Sequence, residues 1–112
     1  MPIFPSQHRL TRPEEFEAVK AKGTSVRTKL FLFSALRGEH ARLGLVVSKK
    51  VGNAVVRNRL KRLAREDFRL RSAEYPNADC VLVFFKEAAD VDSKNIFAAL
   101  AEARKKISKK LA

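Results

Sequence analysis

Seven Lys/Arg and no acid occupy the run from Ser48 to Arg65, SKKVGNAVVRNRLKRLAR. Guanidinium and ammonium groups this dense supply hydrogen-bond donors and positive field, so the chemistry they offer is phosphate binding rather than bond making. Groups that could break bonds are dispersed. Hydrolysis of a phosphodiester by protein groups needs carboxylates gathered around metal ions, or a histidine pair. Here Glu14, Glu15 and Glu17 share one segment and Glu66-Asp67 another, while Asp79, Asp90 and Asp92 read as turn and cap residues. His8 and His40 fall in separate loops without ligand spacing to Cys80, which lies in an apolar run and reads as a small core residue. The sequence therefore predicts no catalytic residues and no metal site of its own.

A chain of 112 residues forms one domain with a single modest core, here taken as residues 1–112. Its 24 Lys/Arg against 12 Asp/Glu give a formal charge of +12, and self-repulsion of that size implies a polyanionic partner. No apolar run approaches the roughly 20 residues of a membrane span, so no membrane partner is expected. The N-terminal MPIFPSQHRL lacks the hydrophobic core of a secretory signal. One cysteine, Cys80, rules out an intramolecular disulfide and suits a reducing cytoplasm.

Several elements must position the basic run. Thr11-Arg12-Pro13-Glu14 has the form of a capping box and predicts a helix over 12–21, carrying Phe16 and Val19, with Gly23 as a left-handed stop. Residues 25–36 are rich in β-formers and apolar on both faces, one expected to meet the helices and the other to stay open as a cleft. Arg37 to His40 reads as a turn and Arg42 to Ser48 as the next strand, paired antiparallel to the first. Gly52-Asn53 supplies a turn and an N-cap for a basic helix over 53–71, which Tyr75-Pro76-Asn77-Ala78 ends. Cys80 to Phe85 predicts a buried central strand. Ile96, Leu100, Ala103, Ile107 and Leu111 predict a C-terminal amphipathic helix behind a Ser93 cap. The whole is an α+β sandwich with one sheet.

At about 100° per residue, with Val56 at zero, Leu60, Leu63 and Leu70 fall within about 40° and form the stripe to be buried. Arg57, Lys61, Arg62, Arg65 and Arg69 fall between roughly 100° and 240°, a contiguous cationic face. Arg59 borders the stripe, where its stem can pack while the guanidinium reaches out. Phe68 lies off the stripe and has no sequence account. A solvated face would mix Glu with Lys at i,i+4, whereas the first acid is Glu66, beyond the run. Nucleic-acid contact follows. Phe16, Phe31 and Phe33 suit either stacking with unpaired bases or a plain place in the core, and no helix-turn-helix pair or dimerisation heptad points to duplex DNA.

SKKVGNAVVRNRLKRLARE, with Arg57-Asn58-Arg59 in a Lys-Lys-x-Gly-Asn-Ala setting, resembles the signature of the protein subunit of bacterial ribonuclease P. The likeness extends from Leu10–Gly23 to Asp79–Ala88. The resemblance implies an αβββαβα order similar to ribosomal protein S5 domain 2, with a left-handed βαβ crossover carrying the basic helix. It implies that a catalytic RNA subunit removes the 5′ leader of precursor tRNA, using Mg²⁺ held mainly by that RNA and the substrate. On this likeness Ser48, Lys49, Lys50, Gly52, Asn53, Arg57, Asn58, Arg59, Lys61, Arg62 and Arg65 would bind the catalytic RNA. Phe16, Lys20, Phe31, Phe33 and Lys50 would hold the single-stranded leader, Lys20 standing where many relatives carry a second aromatic. Many relatives have Arg and Pro after the last strand, where this chain has Phe85-Lys86-Glu87-Ala88. The implied partners are the RNA subunit and precursor tRNA, with no obligate protein partner. The alternative is a structural ribosomal-type RNA-binding protein or RNA chaperone without an enzyme partner.

Overall fold

The computed structural model describes residues 8–112; the signal-peptide argument falls largely on residues outside these. The element order is α1 (Pro13–Lys22), β1 (Thr24–Arg27), β2 (Phe31–Arg37), β3 (Arg42–Val46), α2 (Ala54–Leu70), β4 (Ala78–Phe84) and α3 (Ser93–Leu111). Three helices and one four-stranded mixed sheet make an α+β fold with the expected αβββαβα order.

The β-rich stretch divides at Thr28, whose hydroxyl accepts from the backbone of Leu30 and Phe31 at 3.1 and 3.0 Å. That turn folds β1 antiparallel onto β2, pairing Thr24 with Ala35 and Arg27 with Leu32. Sheet order is β1-β2-β4-β3. The expected antiparallel pairing of the second and third strands is therefore corrected: β4 lies between them, antiparallel to β2 and parallel to β3. The reason lies in β4 itself. Cys80, Leu82 and Phe84 join the large core cluster, while Val81 and Val83 join a second cluster with Leu10, Phe16, Val19 and Leu36. A strand apolar on both faces is stable only in the interior of a sheet. The β3–β4 connection is long enough to carry α2, which permits the parallel pairing.

Three end details differ from expectation. The residue capping α1 is Arg12, with Glu15 reaching back to its backbone N–H at 3.3 Å, one position later than the Thr11 box. Gly23 is extended (φ −79°, ψ 174°), not left-handed. Glycine is needed there because a Cβ would lie 2.5 Å from the Val19 carbonyl oxygen and 2.7 Å from that of Ala35. The cap of α3 is Asp92 rather than Ser93, its carboxylate accepting from Asn95 N at 2.8 Å.

Candidate nucleic-acid interface

Asn53 caps α2, its side chain accepting from Val56 N at 3.0 Å, so the helix begins where the sequence predicts. Leu60 and Leu63 are buried as expected, joined by Ala64, Asp67 and Phe68. Leu70 is not; it is 61% exposed. The helix is rolled toward Phe68 because Asp67 is drawn inward. The Tyr75 hydroxyl donates to Asp67 Oδ2 at 2.6 Å, and Arg104 of α3 pairs with the same oxygen. The Phe68 ring lies 4.8 Å from that of Tyr75. Burial first, and then the Asp67 carboxylate, push the Tyr75 phenol well above its ordinary range, so it stays a donor.

With that roll, Asn58, Arg62 and Arg65 are exposed, and Arg57, Arg59 and Lys61 are half-buried. No carboxylate among the described residues pairs with Arg57, Arg59, Lys61, Arg62 or Arg65; on this helix only Arg69 does, with Glu66 at 2.9 Å. A cationic face without counter-charges presents its full field to a partner. Two arginines are nevertheless engaged by their own chain. Arg57 Nε donates to the Gly52 carbonyl at 3.2 Å, which ties the preceding loop to the helix. Arg59 donates to the Val91 carbonyl at 2.8 Å and approaches Ser93 Oγ at 3.5 Å. This qualifies the expectation for Arg59, whose guanidinium braces the entry to α3. Sequence reasoning missed Arg9, which lines a hollow of about 190 Å³ with Lys61 and Arg65. An isolated bridge between Arg9 and Leu43 holds it there, a pairing that leaves no period in the sequence.

Ser48, Lys49 and Lys50 are exposed in the loop before α2. Ser48 and Lys50 border an open trough of about 1050 Å³, whose other cations are Arg27, Lys29 and Lys86. Val83 and Phe85 form part of its wall, and the Arg27 guanidinium lies over the Phe85 ring at 4.7 Å. Val83 also packs in the cluster with Phe16, so the trough adjoins the face that α1 covers. Phe16 is half-buried, and a Cβ on Gly44 would come within 2.7 Å of its ring, so the glycine admits the aromatic onto β3. Lys20 is exposed on α1.

Phe31 and Phe33 are corrected. Both are 0% exposed, on the sheet face covered by α2 and α3, where Phe31 meets Phe84 edge-on at 5.7 Å and Phe33 stacks with Tyr75 at 6.2 Å. Neither can offer a ring to a base. Phe85, just past β4, is the half-buried aromatic that does border the trough; the sequence reading gives it no binding role.

Two of the carboxylates meet on one arginine. Arg42 binds both oxygens of Asp79 at 2.8 and 2.9 Å and reaches Glu15 at 2.8 Å, fastening α1 to the sheet. Burial works against the Glu15 carboxylate, but the Arg42 and Arg12 hydrogen bonds prevail and hold it below its ordinary value. His8 and His40, read as belonging to separate loops, come together with ring centroids 6.1 Å apart. Even so, no group of three or more His, Cys, Asp or Glu among the described residues could hold a metal ion. No helix there is long and apolar enough to cross a membrane.

A compact α+β frame that presents a helix whose Arg57, Arg59, Lys61, Arg62 and Arg65 have no carboxylate partner among the described residues, beside a cation-rimmed trough with an aromatic wall, is a nucleic-acid-binding module. Within that class the comparisons are specific. The family model for ribonuclease P matches residues 4–108, and the chain belongs to that family. It is 43% identical over 109 residues to a ribonuclease P protein component of Escherichia coli, covering 93% of this chain and 87% of that protein. A component from Exiguobacterium sibiricum is 42% identical over 94 residues, 80% of this chain and 81% of the other. The ribonuclease P protein structure of Staphylococcus aureus superposes with a TM-score of 0.83 at 32% identity, covering 88% of this chain and 93% of that one. The Thermotoga maritima structure gives 0.77 at 28%, covering 87% and 96%. These matches do not favour a ribosomal or chaperone role.

Proposed function

We propose that this protein serves ribonuclease P as its RNA-binding subunit, with α2 on the catalytic RNA and the trough on the 5′ leader of precursor tRNA. One observation carries the reading: two cation-rich surfaces adjoin at Ser48–Lys50, one a helix face suited to folded RNA and the other a trough suited to a single strand. Arg62 and Arg65 supply forked donors to phosphates, while Lys50, Lys29 and Lys86 track the leader backbone. Phe85, topped by Arg27, offers a stacking platform for an unpaired base. Phe16 and Lys20 extend this path along α1.

The donor set argues against a protein-held Mg²⁺, because the paired acids are tied to Arg42, Arg69 and Arg104. Mg²⁺ would be held by RNA and substrate and would supply the hydrolytic chemistry. The subunit lowers phosphate repulsion where the two RNAs converge. A cytoplasmic location fits this role.

The test compares precursors with long and absent leaders. With the protein present, affinity for the long-leader precursor should rise far more, and the gain should shrink steeply with salt. Equal gains for both precursors would remove the trough from leader binding.

A further inference from the structure

Three chain ends converge away from the trough, at the opposite end of the β1–β2 hairpin. Lys22 closes α1, Arg37 closes β2, and Lys110 lies in the last turn of α3. Together with Gly23, Thr24, Ala35, Leu36 and Leu111 they line a hollow of about 290 Å³ that contains no carboxylate. All three cations are exposed. Lys110 is held in place: its ammonium donates to the Ser25 carbonyl at 2.7 Å, bridging α3 to β1. An ammonium has three donors, so two remain for a ligand. Lys22 and Arg37 make no hydrogen bond or ion pair with the described residues.

We infer that this hollow is a second phosphate-binding site, occupied by a backbone segment of the RNA subunit distinct from the one that meets α2. Complementary charge argues for a phosphodiester: three cations from three elements face one concavity with no acid in its lining. Two placements separate it from the surfaces already assigned. The hollow lies on the β1 side of the sheet while α2 packs toward β3, the opposite edge. It also flanks the Thr24–Ala35 end of the hairpin, whereas the trough flanks the Arg27–Leu32 end. The RNA subunit rather than the precursor leader is the occupant because the trough assigned to the leader lies at the other end of the hairpin. Lys105 and Lys109 on exposed positions of α3 extend the same field. This inference rests on the proposed assignments of the RNA subunit to α2 and of the leader to the trough.

The experiment is assembly of the full-length protein with the RNA subunit across a potassium chloride series, for wild type and Lys22→Ala/Arg37→Ala. The double variant keeps the Lys110–Ser25 bond, and an unchanged thermal midpoint establishes that it is folded. Each phosphate contact contributes about 0.7–0.9 to the slope of log affinity against log salt, so the slope should fall by about 1.5. Footprinting should show one protected RNA segment lost while the α2 segment persists. An unchanged slope and footprint would overturn the site. A normal assembly slope with weakened precursor binding would overturn the choice of occupant. If wild type failed to assemble with the RNA at all, the partner assignment itself would fall, a result separable from either of these.

Discussion

Arg59 Nη2 donates to the Val91 carbonyl at 2.8 Å, so a side chain of the Arg-Asn-Arg element is fastened to the segment between β4 and α3. On the proposed reading Arg59 would serve RNA binding by placing α2. Arg59→Ala should weaken assembly with the RNA subunit by about 1–3 kcal/mol, the range for a charge-assisted, partly buried contact. The slope against salt should stay near the wild-type value. A fall of a full phosphate equivalent would mean instead that the guanidinium touches the RNA backbone directly.

Arg62 and Arg65 should behave in the opposite way. Neither has a partner among the described residues, so Ala at either position should leave thermal stability within about 0.5 kcal/mol of wild type. Each should lower the salt slope of assembly by about 1. Titrations at several ionic strengths separate the two kinds of arginine.

The aromatic residues divide similarly. Phe31→Ala empties a fully buried position and should cost about 3–5 kcal/mol of folding stability, read by denaturant titration. Phe85→Ala should cost less stability and reduce the advantage of long-leader over leaderless precursor by about 1–3 kcal/mol if a base stacks there. Loss of that advantage in a folded Phe31 variant, with none in the Phe85 variant, would reverse the assignment.

Glu15 sets an acid limit on how α1 is held. Its folded pKa lies below the ordinary value of 4.5, so its contribution to stability is present in full above that value. The contribution is lost as pH falls through the lower folded value. Glu15→Gln should therefore lower stability at neutral pH, where that contribution is full, and matter little below the folded value, which flattens the acid limb, as thermal melts between about pH 3 and 7 would record.

Cys80 should be inert. It is 0% exposed, and burial, aided by the Asp79 charge, pushes its thiol up to about 12. The native protein should resist alkylation at neutral pH and become reactive on denaturation. Rapid labelling of the folded chain would contradict its core position.

Much of this arrangement was legible in the sequence. Asn53, the apolar spacing of Leu60 and Leu63 and the acid-free run identify α2, because cap, period and charge are all local signals. The apolar run of β4 identifies a central strand for the same reason. What stayed hidden depends on distant partners. Consecutive strands are usually neighbours, so the insertion of β4 between β2 and β3 had no local signature. Both parities of β2 are apolar, and a period of two cannot then choose which face carries Phe31 and Phe33. Nothing local marks Asp67 for burial, because the Arg104 that draws it inward lies 37 residues away. An open cleft and Lys50 were expected, but Arg27 and Phe85 were not assigned to it, because they belong to separate segments that only the fold brings to one trough.

The parallel union of β3 with β4 has a consequence for biosynthesis. On a ribosome, β3 and the arginine-bearing helix emerge well before Ala78–Phe84, and until that segment appears they lack the neighbour that seats them. Throughout this interval the nascent polypeptide displays loose basic sequence that cellular RNA could capture. Emergence of Ala78–Phe84 supplies the strand that pairs with β3 and so closes that interval.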